Sequence, residues 1–176
     1  MTKEASTICE AFRYGSTLSE GGPCLGWRNT PLLPFHWLTY NETMLRAKNF
    51  GSGLLTLGLG PGENTRLGIL ARYEALVTSH LMTDTRNCPE WVIAELGVFM
   101  WSMVSVPLYP KLGPATISYI LAEVEASVVV AMDEASVRTI LDCLPMASPR
   151  IQVSVIRLNR LTESQSLPDD VGTLSG

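Results

Sequence analysis

The stretch Asn87–Tyr109, which reads NCPEWVIAELGVFMWSMVSVPLY, decides the fold class of this chain. Its first half begins like a helix, with Asn87 as the predicted cap, Pro89 in the first turn and Glu90 reaching back. Its second half, Val104–Tyr109, is rich in β-branched residues and ends near a proline, which is typical of a short strand. The stretch therefore predicts a buried helix followed by a buried strand.

A membrane span is the alternative interpretation of this apolar run. Trp91–Leu108 is nearly all apolar, and about 20 such residues cross a bilayer. However, Glu95 lies inside the run, Pro107 lies near its end, and the run divides into a helical half and a β-rich half. We therefore favour a helix and a strand over a span.

Helical and strand patterns alternate on both sides of this stretch. Thr39–Glu42 is a predicted capping box that opens a helix, and Gly58–Gly62 ends that helix. The predicted strands are Cys24–Arg28, Phe35–Thr39, Arg66–Ala71, Val104–Tyr109, Ser127–Met132 and Ile151–Leu158, and further helices are predicted in residues 1–20, from Gly113 and over Glu134–Leu144. This alternation predicts βαβ crossovers, so the expected fold class is α/β, a parallel sheet with helices on both faces.

Three of the predicted helices have an apolar stripe that should face the core. The stripes are Ile8, Ala11 and Phe12 in the first helix; Met44, Ala47, Gly51, Leu54 and Leu55 in the second; and Ile117, Ile120, Leu121 and Val124 after Gly113.

Composition excludes several classes of protein. Hydrophobic residues make up 46% of the 176 residues, enough apolar area for a folded core rather than a disordered chain. The net charge of −4 argues against a nucleic-acid partner, since phosphate binding needs clustered cations. The four cysteines and two histidines are too widely spaced for a zinc or disulfide framework, so buried free thiols are expected. The N-terminus has no secretory signal, which predicts the cytoplasmic side of the cell.

No motif assigns a catalytic, cofactor-binding or metal-binding residue. Gly58–Gly62 follows a helix and precedes a strand, whereas a phosphate-binding loop follows a strand and opens a helix. Glu123 and Glu125 point in different directions on one helix, and His80 shares an apolar helical face with Tyr73, Leu76, Val77 and Leu81. No serine has the G-x-S-x-G context of a nucleophile elbow.

Short runs along the chain nevertheless carry a family resemblance. They are Gly22–Gly26 (GPCLG), Trp37–Tyr40 (WLTY), Gly51–Leu54 (GSGL), Leu67–Ile69 (LGI), Asn87–Trp91 (NCPEW), Val104–Tyr109 (VSVPLY), Leu112–Gly113, Ile117–Ile120 (ISYI) and Glu125–Ser127 leading into Val128–Val130. In this order, over about residues 6–158, they resemble the N-terminal part of the long-chain fatty-acid–CoA ligases (long-chain acyl-CoA synthetases) of the AMP-binding, adenylate-forming superfamily.

The resemblance implies a two-step ligase whose substrates are a long-chain fatty acid, ATP with Mg, and CoA. The family places its phosphate-gripping loop and its catalytic C-terminal domain outside the part that this sequence resembles. The resemblance therefore implies an incomplete N-terminal part of the adenylate-forming fold, with site residues assigned as none and no activity expected of this chain alone. It also implies membrane surfaces of the endoplasmic reticulum, mitochondrial outer membrane or peroxisome.

The expected domain organisation has two parts. Residues 1–160 are predicted to form the partial AMP-binding-type domain, with an unusual insert at about residues 72–86 where relatives have a shorter link. Residues 161–176 are predicted to be a polar, disordered tail.

Three functional interpretations remain open at this point. The leading one is a truncated or partial long-chain fatty-acid–CoA ligase. The second is a non-enzymatic short isoform that acts as an interaction module, for example by association with the full-length ligase. The third is an unrelated α/β ligand-binding domain.

Overall fold

The computed structural model describes residues 5–28, 32–70, 88–126, 128–132, 134–143 and 154–157. In chain order its elements are α1 (Ile8–Leu18), β1 (Pro23–Trp27), β2 (His36–Thr39), α2 (Tyr40–Thr56), β3 (Arg66–Leu70), α3 (Pro89–Met100), β4 (Val104–Leu108), a 3₁₀ turn (Pro110–Leu112), α4 (Gly113–Glu123), β5 (Val128–Ala131), α5 (Glu134–Cys143) and β6 (Ser154–Arg157).

The described strands form two sheets. β1 and β2 pair as an antiparallel ribbon, and the other four strands form a parallel sheet in the order β4-β3-β5-β6. Pro107 lies in β4, at the edge of this sheet, where its missing N–H removes no ladder bond that a central strand would need. The parallel α/β fold predicted from the alternation of elements is confirmed.

Helices cover both faces of the parallel sheet. Successive residues of β3 point to opposite faces, so the strand contacts both helix layers. On one face, Leu67 and Ile69 pack with side chains of α2 and α3. On the other face, Leu70 packs with side chains of α4 and α5. A Cβ at Gly68 would lie 2.9 Å from Leu108 Cδ1, so this glycine makes room for its neighbours.

Helices α2 and α3 cross closely because each has a glycine at the contact. A Cβ on Gly97 would lie 2.6 Å from the Ala47 carbonyl oxygen and 2.8 Å from Phe50 Cδ1, and a Cβ on Gly51 would lie 2.7 Å from the Gly97 carbonyl oxygen. The inner side of the β1–β2 ribbon packs onto this helix pair through Leu25, Trp27 and Leu38. The ribbon is therefore attached to the face of the domain formed by α2 and α3.

The helix starts show one confirmed prediction and one correction. Thr39 and Glu42 form the predicted capping box at α2. Asn87 lies outside the described residues, and the cap position of α3 is held by Cys88 without a side-chain hydrogen bond, so the predicted Asn87 cap is wrong. The cause is Pro89, because the residue before a proline is driven to extended backbone, as Cys88 is (φ −101°, ψ 145°).

The apolar run that could have been a membrane span does not form one continuous helix. The apolar run divides into α3 and β4, as predicted. Among the residues that the structure describes, no helix combines the length and apolar character needed to cross a bilayer.

All three predicted apolar stripes differ from the buried faces. After Gly113, Ile117 and Leu121 are buried, whereas Ile120 and Val124 are half-buried. In α2 the buried residues are Thr43, Ala47, Gly51 and Leu54, whereas Met44 and Leu55 are half-buried. In α1 no residue is buried, and Ile8 is 60% exposed. The predicted insert (72–86), His80 and the predicted tail (161–176) lie outside the described residues.

Candidate functional site

The strand order marks one place where an α/β sheet can form a ligand crevice. The connection after β3 runs to β4 on one side, whereas β5 lies on the other side of β3. Helix α3, which follows β3, and helix α5, which follows β5, pack on opposite faces of the sheet. Connections that leave neighbouring strands in opposite directions open a crevice outside their carboxyl ends. The candidate site is therefore the carboxyl edge of β3 and β5.

The described residues at this edge are apolar and buried, and a backbone hydrogen bond joins the two strand ends. Leu70 and Ala131 end the two strands and are fully buried, and Met132 follows with 4% of its surface exposed. The Met132 N–H donates to the Leu70 carbonyl at 3.2 Å, which extends the ladder by one residue. This edge offers an apolar surface rather than a cluster of polar groups.

Cys88 and Glu90 place titratable groups at the same edge, because α3 begins at the carboxyl edge of the sheet. Glu90 is buried at 7% exposure in the first turn of α3. Burial, and secondly the negative charge of Glu90, raise the pKa of the Cys88 thiol. A protonated thiol is a poor nucleophile, so this pair does not form an activated cysteine. Sequence analysis missed the burial of Glu90, although its position directly before an apolar run was the available signal.

The glycine-rich run Gly58–Gly62 lies at the opposite, amino-terminal edge of the sheet. Gly58 (φ +86°) and Gly62 (φ +111°) take left-handed backbone after α2, and Gly62 N–H donates to the Trp101 carbonyl at 3.0 Å. Thr65 Oγ1 donates to the Gly60 carbonyl at 2.6 Å. The run is a helix stop joined to the α3–β4 turn, as predicted.

Glu125, which was singled out from the sequence, has a structural role. Glu125 lies 3.8 Å from the Arg66 guanidinium, which also donates to the Val124 carbonyl at 3.1 Å, so it fastens the turn before β5. All four cysteines are free thiols, and burial raises the pKa of each. Within the described ranges, no three His, Cys, Asp or Glu side chains come together as a metal-binding group.

Comparisons of this chain with known proteins agree on one family. The sequence pattern of the AMP-binding enzyme family matches residues 26–173 of this chain. Long-chain-fatty-acid–CoA ligase 6 of Mus musculus is 42% identical over 118 residues, which is 67% of this chain and 15% of that ligase. Long-chain-fatty-acid–CoA ligase 1 of Homo sapiens is 37% identical over 126 residues, which is 72% of this chain and 16% of that ligase.

A solved structure supports the fold. A benzoate CoA ligase from Burkholderia xenovorans LB400 superposes with a TM-score of 0.60 at 24% identity, covering 84% of this chain and 25% of that protein. These matches exclude the interpretation as an unrelated α/β ligand-binding domain. The chain spans about one sixth of the length of the curated ligases named above.

Proposed function

Because this chain belongs to the AMP-binding enzyme family, we propose that it forms the N-terminal part of a long-chain fatty-acid–CoA ligase. The observation that carries the proposal is the 42% identity to the mouse ligase 6 over 67% of the chain. The runs that first indicated the family include Leu67–Ile69 and Val104–Tyr109, which are the paired central and edge strands β3 and β4. The resemblance therefore includes residues that build the sheet.

The proposed reaction has two balanced steps. The fatty-acid carboxylate attacks the α-phosphorus of ATP and releases pyrophosphate, and the CoA thiol then displaces AMP to give acyl-CoA. Mg would offset charge on the triphosphate in the first step. The described residues include no group of three metal-ligating side chains, and no step is assigned to a residue of this chain.

The 176-residue polypeptide is proposed to be inactive by itself. It spans 15% of the length of the mouse ligase, and its candidate edge combines buried apolar residues with a protonated thiol. Fatty-acid-dependent exchange between pyrophosphate and ATP should not exceed that of a mock preparation. Exchange clearly above the mock level would contradict this part of the proposal.

A chimera tests the proposed family role directly. The matching segment of mouse ligase 6 is replaced by the segment of this chain that aligns with it, and acyl-CoA formation is measured with a long-chain fatty acid. A functional replacement should stay within about tenfold of the parent ligase, a loss of about 1.4 kcal/mol of transition-state stabilisation. The matched control carries Gly97→Val in the same chimera, which should abolish activity by preventing the α2–α3 crossing. A chimera that folds like the parent but is inactive would count against the proposal.

The short-isoform alternative is favoured by one observation, the open edge of the sheet. β6 is the last described strand, and its far side has no partner strand among the described residues. An unpaired edge is a template for pairing with another chain. Co-purification with a full-length ligase in a stoichiometric complex would support this alternative, and recovery of chaperones alone would oppose it.

The size of the endogenous product separates the two functions. An antibody against residues 88–111 should detect a band several times heavier than 19.2 kDa if the segment belongs to a complete ligase. A single band near 19.2 kDa would favour the interaction module instead.

A further inference from the structure

Strand β4 forms one edge of the parallel sheet. The strand order is β4-β3-β5-β6, so β4 pairs with β3 alone among the described strands. Val104 is 36% exposed and Pro107 is exposed as well, so solvent reaches the strand. An open edge offers unpaired N–H and C=O groups to any strand that approaches it, including the same strand of a second copy.

The hydrogen bonds to β3 show which backbone groups of β4 face outward. The Val104 N–H donates to the Thr65 carbonyl at 2.9 Å. From there the parallel register runs without a shift to the end of β4. In a parallel pair, every second residue directs both its N–H and its C=O to the neighbouring strand. The backbone groups of Val104 and of every second residue after it therefore face β3, whereas those of Ser105 and Pro107 face outward.

Pro107 removes one of the outward donors. Proline has no N–H, and its ring carbons lie where a hydrogen-bonding partner would approach. Within β4, the outward N–H is therefore that of Ser105 alone. If two copies met edge to edge in the symmetric antiparallel arrangement centred on Val106, Ser105 of one copy would lie opposite Pro107 of the other. Each of these pairs would lose one of its two hydrogen bonds.

Strand β4 has few other features that protect an edge strand from pairing. Its sequence, VSVPL, contains no lysine or other charged residue. Its pairing with β3 shows no bulge. Apart from the proline, it is an uncharged segment rich in β-branched residues, which is the kind of segment that pairs readily with itself. Pro107 is therefore the feature of β4 that can keep this edge unpaired.

We propose that Pro107 closes the β4 edge to strand addition and thereby keeps two copies of this chain from joining their sheets through β4. The inference goes beyond the proposed ligase function, because it rests on register, exposure and backbone chemistry. An N–H at residue 107 would face outward rather than toward β3, so the ladder to β3 does not depend on this position. Replacement of Pro107 should therefore open the edge without breaking the sheet.

Sedimentation velocity of the full 176-residue chain tests the proposal. Pro107→Val restores the outward N–H and should tighten self-association by about tenfold or more, because the symmetric pair regains two hydrogen bonds. Its far-UV circular dichroism should match that of the parent chain. Pro114→Val is the matched control, because Pro114 is an exposed proline in the first turn of α4, outside the sheet. It should sediment like the parent chain.

A second substitution in the Pro107→Val background separates edge pairing from misfolding. Ser105→Pro moves the proline to the other outward position, so it should return the sedimentation to that of the parent chain. Ser105→Ala removes the 3.2 Å hydrogen bond from Ser105 Oγ to Glu95 without closing the edge. The alanine variant should therefore remain associated.

Hydrogen exchange measures the state of the edge directly. The Ser105 amide should exchange rapidly in the parent chain and should be protected in Pro107→Val. The proposal is overturned if Pro107→Val sediments like the parent chain, if Pro114→Val associates equally, or if Ser105→Pro does not reverse the association. It is also overturned if the parent chain self-associates with a protected Ser105 amide, since the edge would then pair despite the proline.

Discussion

The α2–α3 crossing and a set of side chains before and within β2 are both apolar and aromatic, yet they differ greatly in exposure. The second set, which we call the outer patch, is Leu32, Leu33, Phe35 and Trp37. At the crossing, Leu54 is 1% exposed and Val98 is fully buried, and two glycines let the helix backbones approach. On the ribbon, Leu32 is 96% exposed and the rings of Phe35 and Trp37 are about half exposed. Similar residue types are therefore buried in one region and exposed in the other.

The difference between the two regions comes from backbone geometry rather than from hydrophobicity. A helix pair can bury its apolar stripe only if small residues allow close approach, and Gly51 and Gly97 provide that approach. A two-stranded ribbon has two sides, and only its inner side reaches the core through Leu25, Trp27 and Leu38. On its other side, Trp37 is 54% exposed.

The largest expected difference in stability between the two regions comes from truncating one leucine in each. Leu54→Ala should lower the free energy of unfolding by about 3 kcal/mol, because it removes a buried side chain and leaves a cavity. Leu32→Ala should change the free energy of unfolding by less than about 0.5 kcal/mol, because its side chain is already in water. Urea unfolding followed by circular dichroism measures both. Equal losses would show that the outer patch is part of the core.

A pair of glycine substitutions within the helix crossing gives the next largest effect. Gly97→Ala should destabilise the chain by about 2 kcal/mol, since the new Cβ would meet Ala47 and Phe50 within 2.8 Å. Gly53→Ala in α2 is the matched control, because nothing lies within 4 Å of its Cβ. It should stabilise the chain by about 0.5–1 kcal/mol through helix propensity. Destabilisation by both variants would contradict the close-crossing interpretation.

Local sequence signals predicted the helices and strands of this fold. Contacts between residues that are distant in sequence could not be predicted from those signals. The Thr39–Glu42 capping box, the division between α3 and β4 and the Gly58–Gly62 stop depend on neighbours in sequence, so they could be predicted. The strand order depends on which distant strands pair, and the sequence contains no sign that β3 lies between β4 and β5. The partners of Gly51 and Gly97 are equally non-local, although a glycine on a predicted core stripe was a partial signal.

The place of the candidate site could not be predicted from the sequence. Sequence analysis assigned no catalytic residue, and nothing in the structure tests that assignment. The carboxyl edge of β3 and β5 could be recognised only from the strand order, because the switch in connection direction is a property of the whole sheet. The burial of Glu90 depends on tertiary packing, for which its position directly before an apolar run was only a partial signal.

A smaller effect tests how the ribbon is joined to the crossing. Thr39 ends β2 and also caps α2, where its hydroxyl accepts from the Glu42 N–H at 3.2 Å and donates to the Glu42 carboxylate at 2.8 Å. Thr39→Ala should cost about 1 kcal/mol of unfolding free energy, whereas Thr39→Ser should keep most of it because the hydroxyl remains. Differential scanning calorimetry compares the two variants. A serine variant as unstable as the alanine variant would show that the methyl group, and not the cap, matters here.

The smallest effect is a pH dependence at the same junction. Hydrogen bonds from the Thr39 backbone N–H and then from its hydroxyl, both at 2.8 Å, lower the pKa of the Glu42 carboxyl below its ordinary value. A carboxyl whose pKa is lower in the folded chain contributes stability that is present above its unfolded pKa and is lost as the pH falls through its folded pKa. Glu42→Gln removes the charge and keeps an acceptor, so it should be less stable by about 0.3 kcal/mol at neutral pH, as expected for an exposed carboxylate at a helix start. That gap should close as the pH falls below the folded pKa of Glu42, while the gap between Leu54→Ala and the parent chain persists wherever the fold remains intact. A gap that widens on acidification would mean that the Glu42 carboxylate is destabilising in the folded chain, and the cap would then depend on the bond from the Glu42 N–H to the Thr39 hydroxyl alone.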